Sequence, residues 1–233
     1  VAAKLQLACF ERLGAAGWDA LARTRDVCRN EGLLVIADGK RGDVPVSAAA
    51  YAQSLFGSTP SPFGDVPGLD VDAATVNGTL GSDSIEPLLE AAQAGGNGLF
   101  VLVRTSNPGA TEFLDLRSRD GSLHERLAAM VESASFRLKG SGPLSGLGAV
   151  VGATEPEHLG LLRDLMPSSI FLVPGIGAQG GAPEDLGPGF GAHPASVLVT
   201  ASRSVAGADD PAAAAERLRR EAWEVACRAV ESG

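Results

Sequence analysis

The sequence has 233 residues, 45% of them hydrophobic, and a formal net charge of -9. That is enough apolar content for one full core, and too acidic a balance, with no basic run, for a nucleic-acid binder. Cys9, Cys28 and Cys227 are odd in number and fit no metal spacing, no apolar run reaches membrane-span length and no signal-peptide order is present, so the expected compartment is the cytoplasm.

Val1 to Ala8 reads as a strand, and a first residue other than Met suggests a fragment. The spacing of Trp18, Leu21, Ala22 and Cys28 predicts a helix from Trp18 to Asn30, stopped at Gly32. Leu33 to Ala37 has the composition of a strand buried on both faces, and charge begins where it stops, at Asp38, Lys40, Arg41 and Asp43. Side chains alternate along an extended chain, so Asp38 and Lys40 point the same way, and Gly42 lets the backbone turn before Asp43. A helix from Ser47 to Leu55 and a Pro, Gly and Ser-rich loop from Gly57 to Gly68 follow.

Ala73 to Asn77 predicts the next strand, and Asp83 to Ala94 a helix with Ile85, Leu88, Leu89 and Ala92 on one face. Gly98 to Val103 is a strand ending in a polar turn, Arg104 to Gly109. Ser122 with Glu125 forms a capping box before a helix that carries Leu123, Leu127, Met130, Ala134 and Leu138 inward. Leu147 to Gly152 is a strand, and Thr154 with Glu157 caps a helix from Glu157 to Leu165. Ser169 to Val173 runs into a glycine-rich turn, and Ser196 to Thr200 meets Ser202 and Arg203. Asp209-Asp210-Pro211 starts a last helix with Leu218, Ala222, Val225, Ala226 and Ala229 on its apolar face.

Strand precedes helix seven times, with no hairpin joining them, and every polar or glycine-rich turn follows a strand. That order predicts an α/β fold, a (β/α)8 TIM barrel over residues 1–233 as one domain, with the first β/α unit missing from this chain. Gln179, Gly180 and Gly181 after one strand and Arg203 after the next occupy loops where barrels hold phosphate, because glycine exposes backbone N–H groups and a guanidinium contacts two oxygens. The plain alternative is a tight turn and an exposed arginine. Lys4 points toward the same strand ends as Asp38 and Lys40, or is a lysine near a fraying end. Thr105 and Ser106 offer hydroxyls to a polar ring edge, although Ser-Asn-Pro-Gly is also an ordinary turn. His124, His158 and His193 fall on or near helices away from the strand ends, which reads as surface or structural, and no cluster predicts a metal.

Five blocks in order, Lys4-Leu-Gln6, Asp38-Gly-Lys40-Arg-Gly-Asp43, Thr105-Ser-Asn-Pro-Gly109, Pro174-Gly-Ile-Gly-Ala-Gln-Gly-Gly181 and Ser202-Arg203-Ser204, resemble orotidine 5′-phosphate decarboxylase, most of all the longer bacterial, type 2 subfamily. The resemblance implies conversion of orotidine 5′-monophosphate to UMP and carbon dioxide in de novo pyrimidine synthesis, with no metal or organic cofactor. It implies a Lys-Asp-Lys-Asp array of Lys4, Asp38, Lys40 and Asp43, with Lys40 donating a proton to C6 and stabilising the carbanionic charge that develops there. Asp38 faces the substrate carboxylate, raising its ground-state energy or organising Lys40. Lys4 and Asp43 complete the array at the ribose hydroxyls. The resemblance further implies a homodimer in which Asp43 and Ser47 reach the neighbouring site. Thr105 and Ser106 address the pyrimidine, Gln179, Gly180, Gly181 and Arg203 the phosphate, and Pro174 lines the same substrate site. Residues Gln179 to Gly191 form the natural lid.

The chain departs from the family pattern in lacking its first strand, in Gly39 where Ala or a larger residue is usual, and in Val44-Pro45-Val46-Ser47 after Asp43. Two other readings stay open: a sugar-phosphate decarboxylase or hexulose-phosphate synthase of the same suprafamily, which uses magnesium, and a non-catalytic nucleotide-binding fragment.

Overall fold

Aliphatic runs become parallel strands in the computed structural model, which describes residues 1–153, 156–176 and 181–232. The chain divides into two compact units, Val1–Val101 and Leu102–Gly233.

In the first unit β1 (Ala2–Gln6) pairs with β2 (Leu34–Arg41), β2 with β3 (Ala73–Val76) and β3 with β4 (Gly98–Arg104), all in parallel. Val35, Ala74, Val76, Leu99 and Val101 are fully buried, as β-branched and aliphatic residues of a sheet covered on both faces should be. The connections are α1 (Leu7–Glu11), α2 (Gly14–Asn30), α3 (Pro45–Phe56) and α4 (Glu86–Gly95).

Several expectations need correction here. The first strand is shorter than Val1 to Ala8: Gln6 pairs with Asp38 as its last rung, and Leu7 turns into α1, where it packs over Gly39. The second strand is longer than Leu33 to Ala37. Its charged residues belong to the strand, because Arg41 still pairs with Val76 and its carbonyl accepts the Asn77 N–H at 2.7 Å. Of the residues at helical spacing in α2, Leu21 is fully buried, whereas Trp18 lies on the outer side. It is exposed, while Gly17 seats α2 so close to the Phe10 carbonyl that a Cβ would collide with it. The 57–68 loop contains a short antiparallel hairpin, Ser58–Thr59 with Val66–Pro67.

Strand β4 continues into the second unit, where the order runs β4, β5 (Ser145–Val151), β6 (Ser169–Val173) and β7 (Val197–Val199). Around it lie α5 (Ala110–Phe113), α6 (Leu123–Ala134), α7 (Pro156–Leu165), α8 (Arg203–Ala206) and α9 (Pro211–Ser232). The Ser122–Glu125 capping box forms: the Ser122 Oγ accepts the Glu125 N–H, and the Glu125 carboxylate accepts the Ser122 N–H. The inward face of α6 is rotated from the expected one, with His124, Leu127, Ala128 and Val131 buried, because His124 is drawn in by partners described below. The helix also stops at Ala134, and Leu138 lies in a following 3-10 turn. The Thr154 half of the second expected capping box lies outside the described residues. On α9, Ala214, Val225 and Ala226 are buried, close to the predicted stripe. Among the described residues no helix is long and apolar enough to cross a membrane.

Candidate active site

The site is assembled from the ends of β1 and β2. Register brings Lys4 opposite Ile36, and from there its ammonium donates to Asp38 Oδ2. Lys40 Nζ donates to Asp38 Oδ1 at 2.6 Å. The expectation that Asp38 and Lys40 share a side is thus met, and Lys4 joins them. From β3 the Thr75 hydroxyl donates to Asp38 Oδ1 and accepts the Lys40 backbone N–H, both at 2.9 Å. Asp38 is buried, and burial alone would push its carboxyl up. Hydrogen bonds and charge from Lys4 and Lys40 outweigh that and hold it below the usual carboxylate range.

Backbone geometry sharpens the arrangement. Lys40 has φ +50°, a left-handed conformation that only Asp70 shares among the described non-glycine residues. Gly42 approaches Asn77 so closely that a Cβ would run into its carbonyl oxygen. Asp43 follows that contact. Its carboxylate accepts the Val44 N–H at 2.7 Å instead of an ion pair with Lys40, so three members of the expected four-residue array meet and the fourth stands apart. Ser47 lies half-buried in the first turn of α3, where Pro45 suits the helix start. Arg41, beside the pair, is held by Glu11 and lies over the Tyr51 ring at 5.4 Å.

In the second unit, Thr105 and Ser106 follow β4 as expected and are half-buried. Thr105 Oγ1 donates to Asn107 Oδ1 at 2.7 Å, and Gly152 packs against Ser106 at a spacing only glycine allows. Pro174 follows β6, and its carbonyl accepts the Ala153 N–H at 3.0 Å. Gly181 folds back on the strand end, its N–H donating to the Gly175 carbonyl at 3.0 Å. Gln179 and Gly180 lie outside the described residues, as does part of the expected lid. Arg203 opens α8 and is exposed.

One cluster escaped the sequence reading. Asp115, His124 and His158 bring one ligand atom each within 4.8 Å of one another, and the two imidazoles meet edge to face at 5.0 Å. Asp115, however, is already forked by Arg104, Nε to Oδ1 at 2.9 Å and Nη2 to Oδ2 at 3.0 Å, and His124 Nδ1 lies 2.9 Å from the Leu114 carbonyl. Burial pushes the Asp115 carboxyl up, and Arg104 with the two histidines pulls it to a net lowering. A guanidinium on both carboxylate oxygens balances the charge a dication would need, so the cluster reads as an internal network pinning 114–115 to β4 and α6. No local spacing announces it, since the histidines are 34 positions apart and Asp115 belongs to no motif.

Comparison with known proteins places this geometry in a family. The family described as "Orotidine 5'-phosphate decarboxylase / HUMPS family" matches residues 1–218. An orotidine 5′-phosphate decarboxylase from Caldicellulosiruptor bescii is 40% identical over 205 residues, which cover 88% of this chain and 67% of that protein. The solved OMP decarboxylase of Leishmania donovani superposes with a TM-score of 0.78 at 36% identity, covering 97% of this chain and 81% of that one. The UMP synthase of the same organism gives a TM-score of 0.78 at 37% identity over 94% of this chain, which spans only 45% of the synthase. With a family match over nearly its whole length, this chain belongs to the orotidine 5′-phosphate decarboxylase / HUMPS family.

Proposed function

We propose that the protein decarboxylates orotidine 5′-monophosphate to UMP and carbon dioxide, serving pyrimidine biosynthesis in the cytoplasm. The observation that carries this is the ionised Asp38 held between the ammonium groups of Lys4 and Lys40, in a chain that matches the decarboxylase family. The C6–carboxylate bond breaks, the electron pair stays on C6, and a proton from the Lys40 ammonium replaces the departing carbon dioxide. A cation fixed beside the developing carbanion stabilises it without reorganising during the step. Asp38 keeps that ammonium aimed, and its own negative charge disfavours a substrate carboxylate more than the neutral product.

The remaining roles follow the family likeness, and the proposal covers the longer bacterial subfamily as well. Lys4 contacts a ribose hydroxyl, Thr105 and Ser106 read the pyrimidine edge, and Gln179, Gly180, Gly181 and Arg203 take the phosphate beside Pro174. Energy from phosphate contacts orients the reacting ring and so raises rate. Asp43 and Ser47 act in the site of a second copy. That assignment is supported by the separation of Asp43 from the Lys4–Asp38–Lys40 cluster and by the exposed Val44 and Val46 next to it. The same reading takes residues 1–233 as one (β/α)8 domain, with an eighth β/α unit pairing along the open side of β1, whose residues are all half-buried.

The test is conversion of orotidine 5′-monophosphate by the purified protein in a chelator, beside Lys40→Ala. The expected result is turnover in the parent protein and a loss of at least about 1000-fold in the variant. Turnover that appears only with added magnesium and a sugar phosphate would overturn the assignment, as would nucleotide binding with no carbon dioxide released.

A further inference from the structure

We infer that Thr75 is a positioning residue for the Asp38–Lys40 pair, its hydroxyl fixing both the backbone and the ammonium of Lys40 through one carboxylate oxygen. The inference rests on the decarboxylase reading and extends it to a residue in none of the motifs.

The pairing of β2 with β3 shows why a hydroxyl is needed there. Ile36 and Ala37 pair with Ala73 and Ala74 in step, but the next paired position is Arg41 with Val76. Four residues of β2 therefore span the distance that two residues of β3 cover. The excess is a bulge, and a bulge leaves amides without ladder partners. The N–H of Lys40 finds the Thr75 Oγ1 at 2.9 Å instead of a carbonyl. Thr75 is 1% exposed, so water does not compete for that position. A hydroxyl that accepts from an amide turns its own proton elsewhere, and here it goes to Asp38 Oδ1 at 2.9 Å. The same oxygen accepts the Lys40 ammonium at 2.6 Å. Backbone and side chain of one lysine are tied to a single carboxylate oxygen, with the hydroxyl closing the ring. The left-handed φ of Lys40 is disfavoured for a residue with a long side chain, and this ring holds it.

The experiment compares Thr75→Val, which keeps the shape and removes the hydroxyl, with Thr75→Ser, which keeps the hydroxyl. In Thr75→Val, kcat is expected to fall at least about 30-fold while KM stays within about threefold, since a reactive group misplaced by a fraction of an ångström loses rate more than binding. Thr75→Ser should recover to within about fivefold of the parent protein. A second arm follows the Asp38 carboxyl by carbon NMR titration: its midpoint should move up in Thr75→Val, which has lost one donor, and return in Thr75→Ser. This arm needs no turnover. If the parent protein does not decarboxylate the substrate, the functional reading fails alone and the titration still decides the role of Thr75. Should Thr75→Val not fold, Thr75→Cys carries the same comparison with a weak thiol donor. A folded variant without the hydroxyl that keeps kcat within twofold, or leaves the Asp38 midpoint unmoved, overturns the inference.

Discussion

Lys40 and Arg163 are both cations set beside a parallel strand, and their surroundings treat them in opposite ways. Arg163, in α7, is buried, and its guanidinium donates to the carbonyls of Gly189, Met166, Ser169 and Ser196 at 2.8–3.2 Å while lying 3.8 Å over the Phe171 ring. Burial pushes it down to about 10, with Glu132 pulling the other way, so it remains charged at neutral pH. Among the described residues, its four hydrogen bonds all end in the protein's own backbone. The Lys40 side chain is 43% exposed, and its one described side-chain bond goes to Asp38. On the proposed function, the difference teaches how to separate a charge that builds from a charge that reacts. A structural cation has its valences filled by the chain, whereas a reactive one is aimed by one partner and left open on the other side.

Truncating both cations tests that separation most severely. Arg163→Ala leaves four carbonyls around a cavity and is expected to cost about 3 kcal/mol or more in a denaturant titration. Lys40→Ala should shift the same midpoint by less than about 1 kcal/mol, because a partly exposed pair contributes little to stability, while abolishing turnover. An Arg163 variant as stable as its parent would break the comparison. Gly42→Ala comes next. Its Cβ would meet the backbone carbonyl of Asn77, which cannot swing aside as a side chain can. A loss of about 2 kcal/mol in stability, together with reduced turnover as Asp43 is displaced, is expected from calorimetry and the decarboxylation assay.

The two regions also differ in how far sequence reveals them. Asp38 and Lys40 are legible because strand alternation puts residues two apart on one side, and a charged run after an aliphatic one marks the strand end. The strand continues through that run, which alternation alone does not disclose: the ladder contact of Arg41 comes from Val76. Lys4 could be placed at the same mouth, but its partner follows only from the register of Gln6 with Asp38. Thr75, Arg163 and the Asp115–His124–His158 cluster carry no sequence signal, since Thr75 and Asp38 are 37 positions apart and Arg163 bonds to carbonyls, which every residue has. Gly42 marks the turn before Asp43 in the sequence, but the path of that turn is not legible there, because it depends on the close contact of Gly42 with Asn77.

Acid provides a finer test of the same contrast. The Asp38 carboxyl sits below its ordinary value in the folded protein, so its interactions add stability that is fully present above the unfolded carboxylate range. That stability is lost as the pH falls through the lowered folded value. Urea midpoints measured from neutral pH downward should therefore show Asp38→Asn less stable than the parent at neutral pH, with the gap closing in acid. The deficit of Arg163→Ala should change less over that window, because its hydrogen-bond partners are carbonyls that do not titrate and only the charge of Glu132 is lost in acid.

The smallest effect belongs to Gly39→Ala, and its smallness is informative because Gly39 lies in the same strand end as Gly42. A Cβ there would come 2.6 Å from Leu7 Cδ1 and 3.3 Å from Arg41 Nε, both ends of side chains. Leu7 is 1% exposed, so it must rotate within a packed environment, at a cost on the order of 1 kcal/mol. The φ of Gly39 lies outside the left-handed region, so alanine adopts it without strain and restricts the unfolded chain, a gain of roughly 0.4–1 kcal/mol. The two contributions nearly cancel. Stability should change by less than about 1 kcal/mol, with kcat within about threefold of the parent, since neither Asp38 nor Lys40 needs to move. A Gly39→Ala loss larger than that of Gly42→Ala would mean that Leu7 cannot rotate away. The packing of α1 against β2, and not the approach of Asn77, would then set the position of the strand end that carries Asp38 and Lys40.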